Sequence, residues 1–112
     1  MISYKLISDL DKKQIIQCND LINKSFKTNR FQDYKYAVIY TKNDMIIGFV
    51  GIYDNLLNQL CTSLEYRKKG IATKIIDTCK QILNLPIYLG IGILVNQDWP
   101  NKMILIAILL LA

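Results

Sequence analysis

The order of patterns across residues 59–95 constrains the fold more than any other part of the chain. "QLCTSL" (59–64) reads as a short strand and runs into the polar stretch "EYRKKG" (65–70). At Gly70 the hydrophobic period changes. Ile71, Ile75, Ile76, Cys79, Ile82 and Leu83 form a helical stripe, while Thr73, Lys74, Asp77, Lys80 and Gln81 face away. The pattern predicts an amphipathic helix over 71–83, ended by Pro86. "IYLGIGILV" (87–95) is a near-continuous apolar run, as expected for a strand covered on both faces. Strand, helix and strand in this order form a βαβ crossover, which joins parallel strands.

Upstream, "ISYKLI" (2–7) reads as a strand, and Ser8 and Asp9 are N-cap candidates for a helix over about 10–24. Ile15, Cys18, Ile22 and Phe26 give that helix one apolar face. "KTNRFQD" (27–33) is a polar break. "YKYAVIYT" (34–41) and "MIIGFVGIY" (45–53) are strand-like runs separated by the turn signal "KND" (42–44), so an antiparallel hairpin is expected. "DNLLN" (54–58) turns the chain again before "QLCTSL". No internal repeat and no Pro-, Gly- or Ser-rich linker interrupts this order. The expectation is one α/β domain over 1–112, with a mixed, partly antiparallel sheet and flanking helices.

The cations at the head of the second helix need a reason, because the macrodipole disfavours positive charge there. A helix N-terminus also carries unpaired N–H groups and binds anions readily. Gly70 and Ala72 would keep side chains clear of a phosphate. Lys68, Lys69 and Lys74 would add charge, and Arg67 a fork-shaped contact. The plainer reading is a βα loop with its charges in water. The stretch is neither a G-x-x-x-x-G-K-[ST] P-loop nor a G-x-G-x-x-G fingerprint.

Composition narrows the chemistry. The chain has 112 residues, 52% of them hydrophobic, enough for a real core. It contains no histidine, so Ser-His and Cys-His dyads and His-ligated metals are excluded. Cys18, Cys61 and Cys79 are far apart, with no C-x-x-C, and read as reduced core thiols with no metal site. No signal-peptide h-region opens the chain, so the cytoplasm is the expected compartment and the "NKS" sequon at Asn23 carries little meaning. The net charge of +5 fits an anionic ligand, but no basic stripe outside 67–69 points to nucleic acid. "LPIYLGIGILV" (85–95) and "MILIAILLLA" (103–112) fall short of the about 20 residues a membrane span requires, so buried elements are expected rather than a tail anchor.

"LCTSLEYRKKGIATKII" (60–76) resembles motif A of the GNAT family of acyl-CoA N-acyltransferases. That motif is a strand, often Pro-Glu-Tyr, then Arg or Gln-x-x-Gly-x-Gly or Ala, then a helix. Here it reads Glu65-Tyr66-Arg67-Lys68-Lys69-Gly70-Ile71-Ala72, with Leu64 where proline is common. "AVIYTKNDMIIGFVGIY" (37–53) is similar to the family's preceding hairpin, and the resemblance covers most of residues 1–96.

The resemblance implies a GNAT fold and acetyl-CoA as cosubstrate. It implies that the pyrophosphate rests on the amides of Arg67, Lys68, Lys69, Gly70, Ile71 and Ala72, with Thr73 beside them. The pantetheine arm would pair with the backbone of Leu60, Cys61 and Thr62. Asn96 matches an asparagine that follows the family's fifth strand. The implied reaction is attack of a primary amine, on a small molecule or a protein, upon the thioester carbonyl. A strand amide near Cys61 or Thr62 would polarise that carbonyl. Cys61 is better read as a strand residue beside the cofactor than as a nucleophile, since no base is available to activate it. Glu65, Asp54 and Tyr53 are base candidates, each also readable as a solvated loop or strand-end residue. Beyond Asn96 the chain departs from the family. "QDWPNKMILIAILLLA" lacks the tyrosine that often protonates the leaving thiolate, and the usual last strands, so the domain reads as incomplete from about 97. A minimal form completed by a partner subunit and a reading frame shifted near Asn101 both account for this. The alternative function is a catalytically impaired module that binds CoA or a protein. A homodimer is a candidate assembly.

Overall fold

A computed structural model describes residues 1–26, 34–54, 56–83, 87–89 and 94–95. Side chains are described for these residues except Phe26, 87–89 and 94–95. Among the described residues six strands form one sheet in sequence order: β1 (Ile2–Leu6), β2 (Tyr36–Lys42), β3 (Met45–Tyr53), β4 (Leu56–Thr62), β5 (Ile87–Leu89) and β6 (Leu94–Val95). Helix α1 (Lys12–Phe26) joins β1 to β2, and α2 (Ile71–Leu83) joins β4 to β5. The β1–β4 pairings are antiparallel, and β4 and β5 are parallel, as the βαβ pattern requires. Among the described residues no helix is long and apolar enough to cross a membrane.

The two helices cover opposite faces of the sheet. Val38, Val50, Ile52, Leu57 and Leu60 pack with Ile71, Ala72, Ile75, Ile76 and Cys79 of α2. Ala37, Ile39, Phe49 and Cys61 pack with Cys18, Leu21 and Ile22 of α1. Central strand β3 is buried from Ile46 to Ile52, because both of its faces are covered. Asn43 and Asp44, with φ of 52° and 63°, make the two-residue turn that joins β2 to β3. A left-handed pair of this kind matches the twist of the strands it connects.

Four sequence expectations are corrected. Helix α1 starts at Lys12, because Ile7–Asp9 form a 3-10 turn and Asp11 is the cap. The Gln14 N–H donates to Asp11 Oδ1 at 2.7 Å and the Asp11 N–H donates to Gln14 Oε1 at 3.1 Å, a reciprocal capping box. Neither Ser8 nor Asp9 has that role. Strand β4 begins at Leu56 rather than 59, since Asp54 adopts φ 53° and Tyr53 pairs with Leu56. It ends at Thr62, because Leu64–Tyr66 form a second 3-10 turn. The apolar run 87–95 is two antiparallel strands, with Ile87 opposite Val95, and not one. Gly90 and Gly92 lie between them in sequence, residues that interrupt a strand readily. The polar break at 27–33, Pro86, Asn96 and the apolar ending 103–112 lie outside the described residues.

Candidate functional site

Residues 63–70 carry the chain from the end of β4 to the start of α2. The Ser63 N–H donates to the Ile47 carbonyl at 2.7 Å and anchors the loop to β3. Arg67 is extended, while Lys68 and Gly70 take φ of 63° and 82°. A turn with left-handed residues of this kind can point successive backbone amides into an anion-binding concavity. The Lys74 N–H donates to the Gly70 carbonyl at 3.0 Å, so Gly70 is the N-cap residue of α2. The amides of Ile71, Ala72 and Thr73 precede that first helical bond and have no intrahelical acceptor.

A Cβ added to Gly70 would meet nothing within 4 Å. Glycine is therefore needed for the backbone angle, and the space beside it is open. Ala72 differs from the expectation that it clears room for a ligand. Its side chain is buried in the α2-side core, so its small size serves packing and only its amide belongs to the loop. Ile71 is buried in the same cluster.

The cations sit differently from one another. Lys68, Lys69 and Lys74 are exposed. The Lys69 ammonium lies 5.5 Å from the Tyr66 ring centroid, and the Lys42 ammonium lies 5.2 Å from the same centroid. Lys42 comes from the β2–β3 hairpin, where its sequence context signals only a turn. Arg67 does not extend its fork outward. Its Nε donates to the Thr62 carbonyl at 3.0 Å and its Nη2 to Ser25 Oγ at 3.4 Å, tying the loop to β4 and α1. A cleft of about 510 Å³ opens between these elements, lined by Asp20, Lys24 and Ser25 of α1 and by Ser63, Glu65 and Arg67.

Strand β4 supplies the second part of the site. Among the described residues it pairs with β5 only at Leu56 and Leu57, so Leu60, Cys61 and Thr62 lie past the last described pair. A bulge interrupts its pairing with β3 between Phe49 and Gly51, and Gln59 in the bulge has φ 55°. Leu57 and Leu60, three residues apart, consequently both join the α2-side core. Thr62 is buried, and its Oγ1 has no hydrogen-bond partner among the described residues. Cys61 is fully buried on the α1 side. Burial pushes its thiol up to about 12, against smaller opposing pulls from Ser25 and Arg67. Burial likewise holds Cys18 and Cys79 at about 12. The Cys61 sulfur is thus a protonated core thiol at neutral pH and not an activated nucleophile.

The base candidates separate. Glu65 is exposed in the loop at the rim of the cleft. Asp54 and Tyr53 are exposed at the opposite end of β4, a strand about 20 Å long at the usual rise per residue. One ligand group cannot meet both ends. Tyr34, whose sequence context marks it only as the first residue of a strand-like run, lies against the middle of β4. Its hydroxyl donates to Gln59 Oε1 at 2.9 Å.

A mixed sheet whose fourth strand feeds a basic, glycine-containing loop and then a helix with one face buried against the sheet defines the acyl-CoA N-acyltransferase class of fold. The chain matches the family model described as an acetyltransferase (GNAT) domain over residues 6–97, and it belongs to that family. Solved structures have the same fold. An acyl-CoA N-acyltransferase from Pseudomonas aeruginosa aligns with a TM-score of 0.67 at 14% identity, over 80% of this chain and 75% of that one. An aminoglycoside acetyltransferase from an uncultured soil metagenomic sample, in complex with sisomicin, gives 0.66 at 15% identity, over 96% and 83%. An aminoglycoside 6′-N-acetyltransferase complexed with coenzyme A gives 0.62 at 17% identity, over 78% and 60%. No curated protein matches the sequence.

Proposed function

We propose that this protein binds acetyl-CoA and transfers the acetyl group to a primary amine of a small molecule or a protein. The observation that carries this reading is the loop 63–70 with Gly70 at φ 82°, open space beside it, and the β4 edge at Leu60–Thr62 next to it. The residues present fit the cosubstrate. The amides of residues 67–72 and the side chains of Lys68, Lys69 and Lys42 would hold the pyrophosphate, and Thr73 stands in the first turn. The backbone of Leu60, Cys61 and Thr62 would pair with the pantetheine arm, which then runs from the loop back along β4.

In the reaction the amine nitrogen attacks the thioester carbonyl carbon. The C–S bond breaks, the sulfur leaves with the electron pair, and the acceptor nitrogen loses a proton. Orientation of the two reactants supplies much of the acceleration. An amide at Cys61 or Thr62 stabilises the developing oxyanion. A carbonyl held at Cys61 or Thr62 lies at the Glu65 end of β4, most of the strand's length from Asp54, so Glu65 is the better-placed base of the two and would take the acceptor's proton. Acceptors such as the aminoglycosides named for two solved relatives fit the chemistry of a primary amine.

Titration calorimetry with acetyl-CoA tests the reading. Saturable binding is expected, and absence of binding at millimolar ligand would sink it. Thiol release with a panel of amines follows. Binding without turnover identifies the protein as a CoA-binding module instead.

A further inference from the structure

We propose that Tyr34 is a positioning residue. It locks the β4 bulge and thereby sets which backbone groups of Leu60, Cys61 and Thr62 face the pantetheine arm. The inference rests on the acyl-CoA reading above.

Gln59 holds φ 55° in the middle of a strand, a conformation non-glycine residues rarely adopt. Two side-chain bonds surround it. Asn58 Oδ1 accepts from the Gln59 N–H at 2.9 Å, and the Tyr34 hydroxyl donates to Gln59 Oε1 at 2.9 Å. The Tyr34 ring has little freedom. It is 8% exposed, its centroid lies 6.2 Å from that of Phe49, and it rests on the bare face of Gly51. A Cβ at Gly51 would fall 2.2 Å from the ring, so glycine there makes room for the tyrosine. Burial raises the hydroxyl's pKa above the ordinary tyrosine range, with a smaller contribution from Cys61, which keeps it a donor.

The bulge matters because strand geometry alternates with a period of two. A slip of one residue sends every side chain to the other face and every amide to the other edge. The extra residue lets Leu57 and Leu60 share the α2-side core and leaves Cys61 on the α1 side. Without it, Leu60, Cys61 and Thr62 would each present the opposite backbone group to the edge that lies past the last described pair with β5. The amide that polarises the thioester carbonyl would then be turned away. Tyr34 thus acts on the cofactor arm through Gln59 and the backbone.

Two probes divide the binding surface. CoA reaches the loop and the β4 edge, whereas 3′-phospho-ADP lacks the arm and reaches the loop alone. For Tyr34→Phe the expected result is about a tenfold loss of CoA affinity, the scale of one hydrogen bond. The affinity for 3′-phospho-ADP should stay within about twofold. Gln59→Met should show the same selective loss, and the double variant should lose no more than either single one, the signature of a shared interaction. Gln59→Met decides the matter if Tyr34→Phe does not fold. Equal losses on both probes, or an unchanged CoA affinity, overturn the positioning role. Failure of the unmodified protein to bind CoA overturns the acyl-CoA reading and this inference with it.

Discussion

Gly70 shows how one residue type can be required for a reason that composition does not reveal. Its neighbourhood is open, so an alanine would meet no steric wall. The left-handed angle alone penalises the substitution, by about 1–2 kcal/mol. Gly70→Ala should therefore lower unfolding free energy by about that amount in a denaturant melt and weaken CoA binding through the displaced loop amides. Glu65 gives a second test at this scale. Glu65→Gln should slow turnover about 100-fold, the order expected for loss of a general base, with acetyl-CoA binding unchanged. Asp54→Asn, at the other end of β4, should leave the rate nearly intact. Equal effects of the two substitutions would refute the assignment of the thioester carbonyl to the Glu65 end.

Elements carry the next set of consequences. Helix α1 is held at its start by the Asp11–Gln14 box. Asp11→Ala should cost about 1 kcal/mol, read as a lower denaturation midpoint, while Ser8→Ala should cost almost nothing. The β2–β3 hairpin contributes Lys42 to the loop through the Tyr66 ring. Lys42→Ala should weaken CoA binding about threefold at low ionic strength, and the difference should vanish near 1 M salt, where screening is short-ranged. At the same scale, legibility follows local signals. Helix α2 and strand β3 were readable to the residue because their periods are strong and their turns are punctuated by Gly70 and Asn43-Asp44. The start of β4 was not, because "DNLLN" looks like a turn until Leu56 and Leu57 find partners in β3. The loop's glycine and cations were legible for the same reason as α2. The roles of Tyr34, Ser25 and Lys42 were not, since each depends on contacts between residues 24 or more apart in sequence.

For the whole molecule, the sheet with a helix on each face makes two cores, and both contain thiols. Cys18 and Cys61 lie on the α1 side and Cys79 on the α2 side. In each case the folded protein holds the pKa near 12 against an ordinary 9.0. A raised folded-state pKa gives stability that is complete below the unfolded value and is lost as pH rises toward the folded one. Urea melts should accordingly show a plateau in stability at neutral pH and a decline beginning above about pH 9, steeper than for a variant with Cys79→Ala. The fold class itself was readable from the order of patterns in 1–95. What was not readable was the hairpin within 87–95, because a continuous apolar run does not say where it reverses.

The same sealed thiols simplify measurement of the reaction. A thiol-reactive dye added to the native protein at neutral pH finds no exposed sulfur among Cys18, Cys61 and Cys79. In a mixture of protein, acetyl-CoA and a candidate amine, each dye molecule consumed then counts one CoA that has given up its acetyl group.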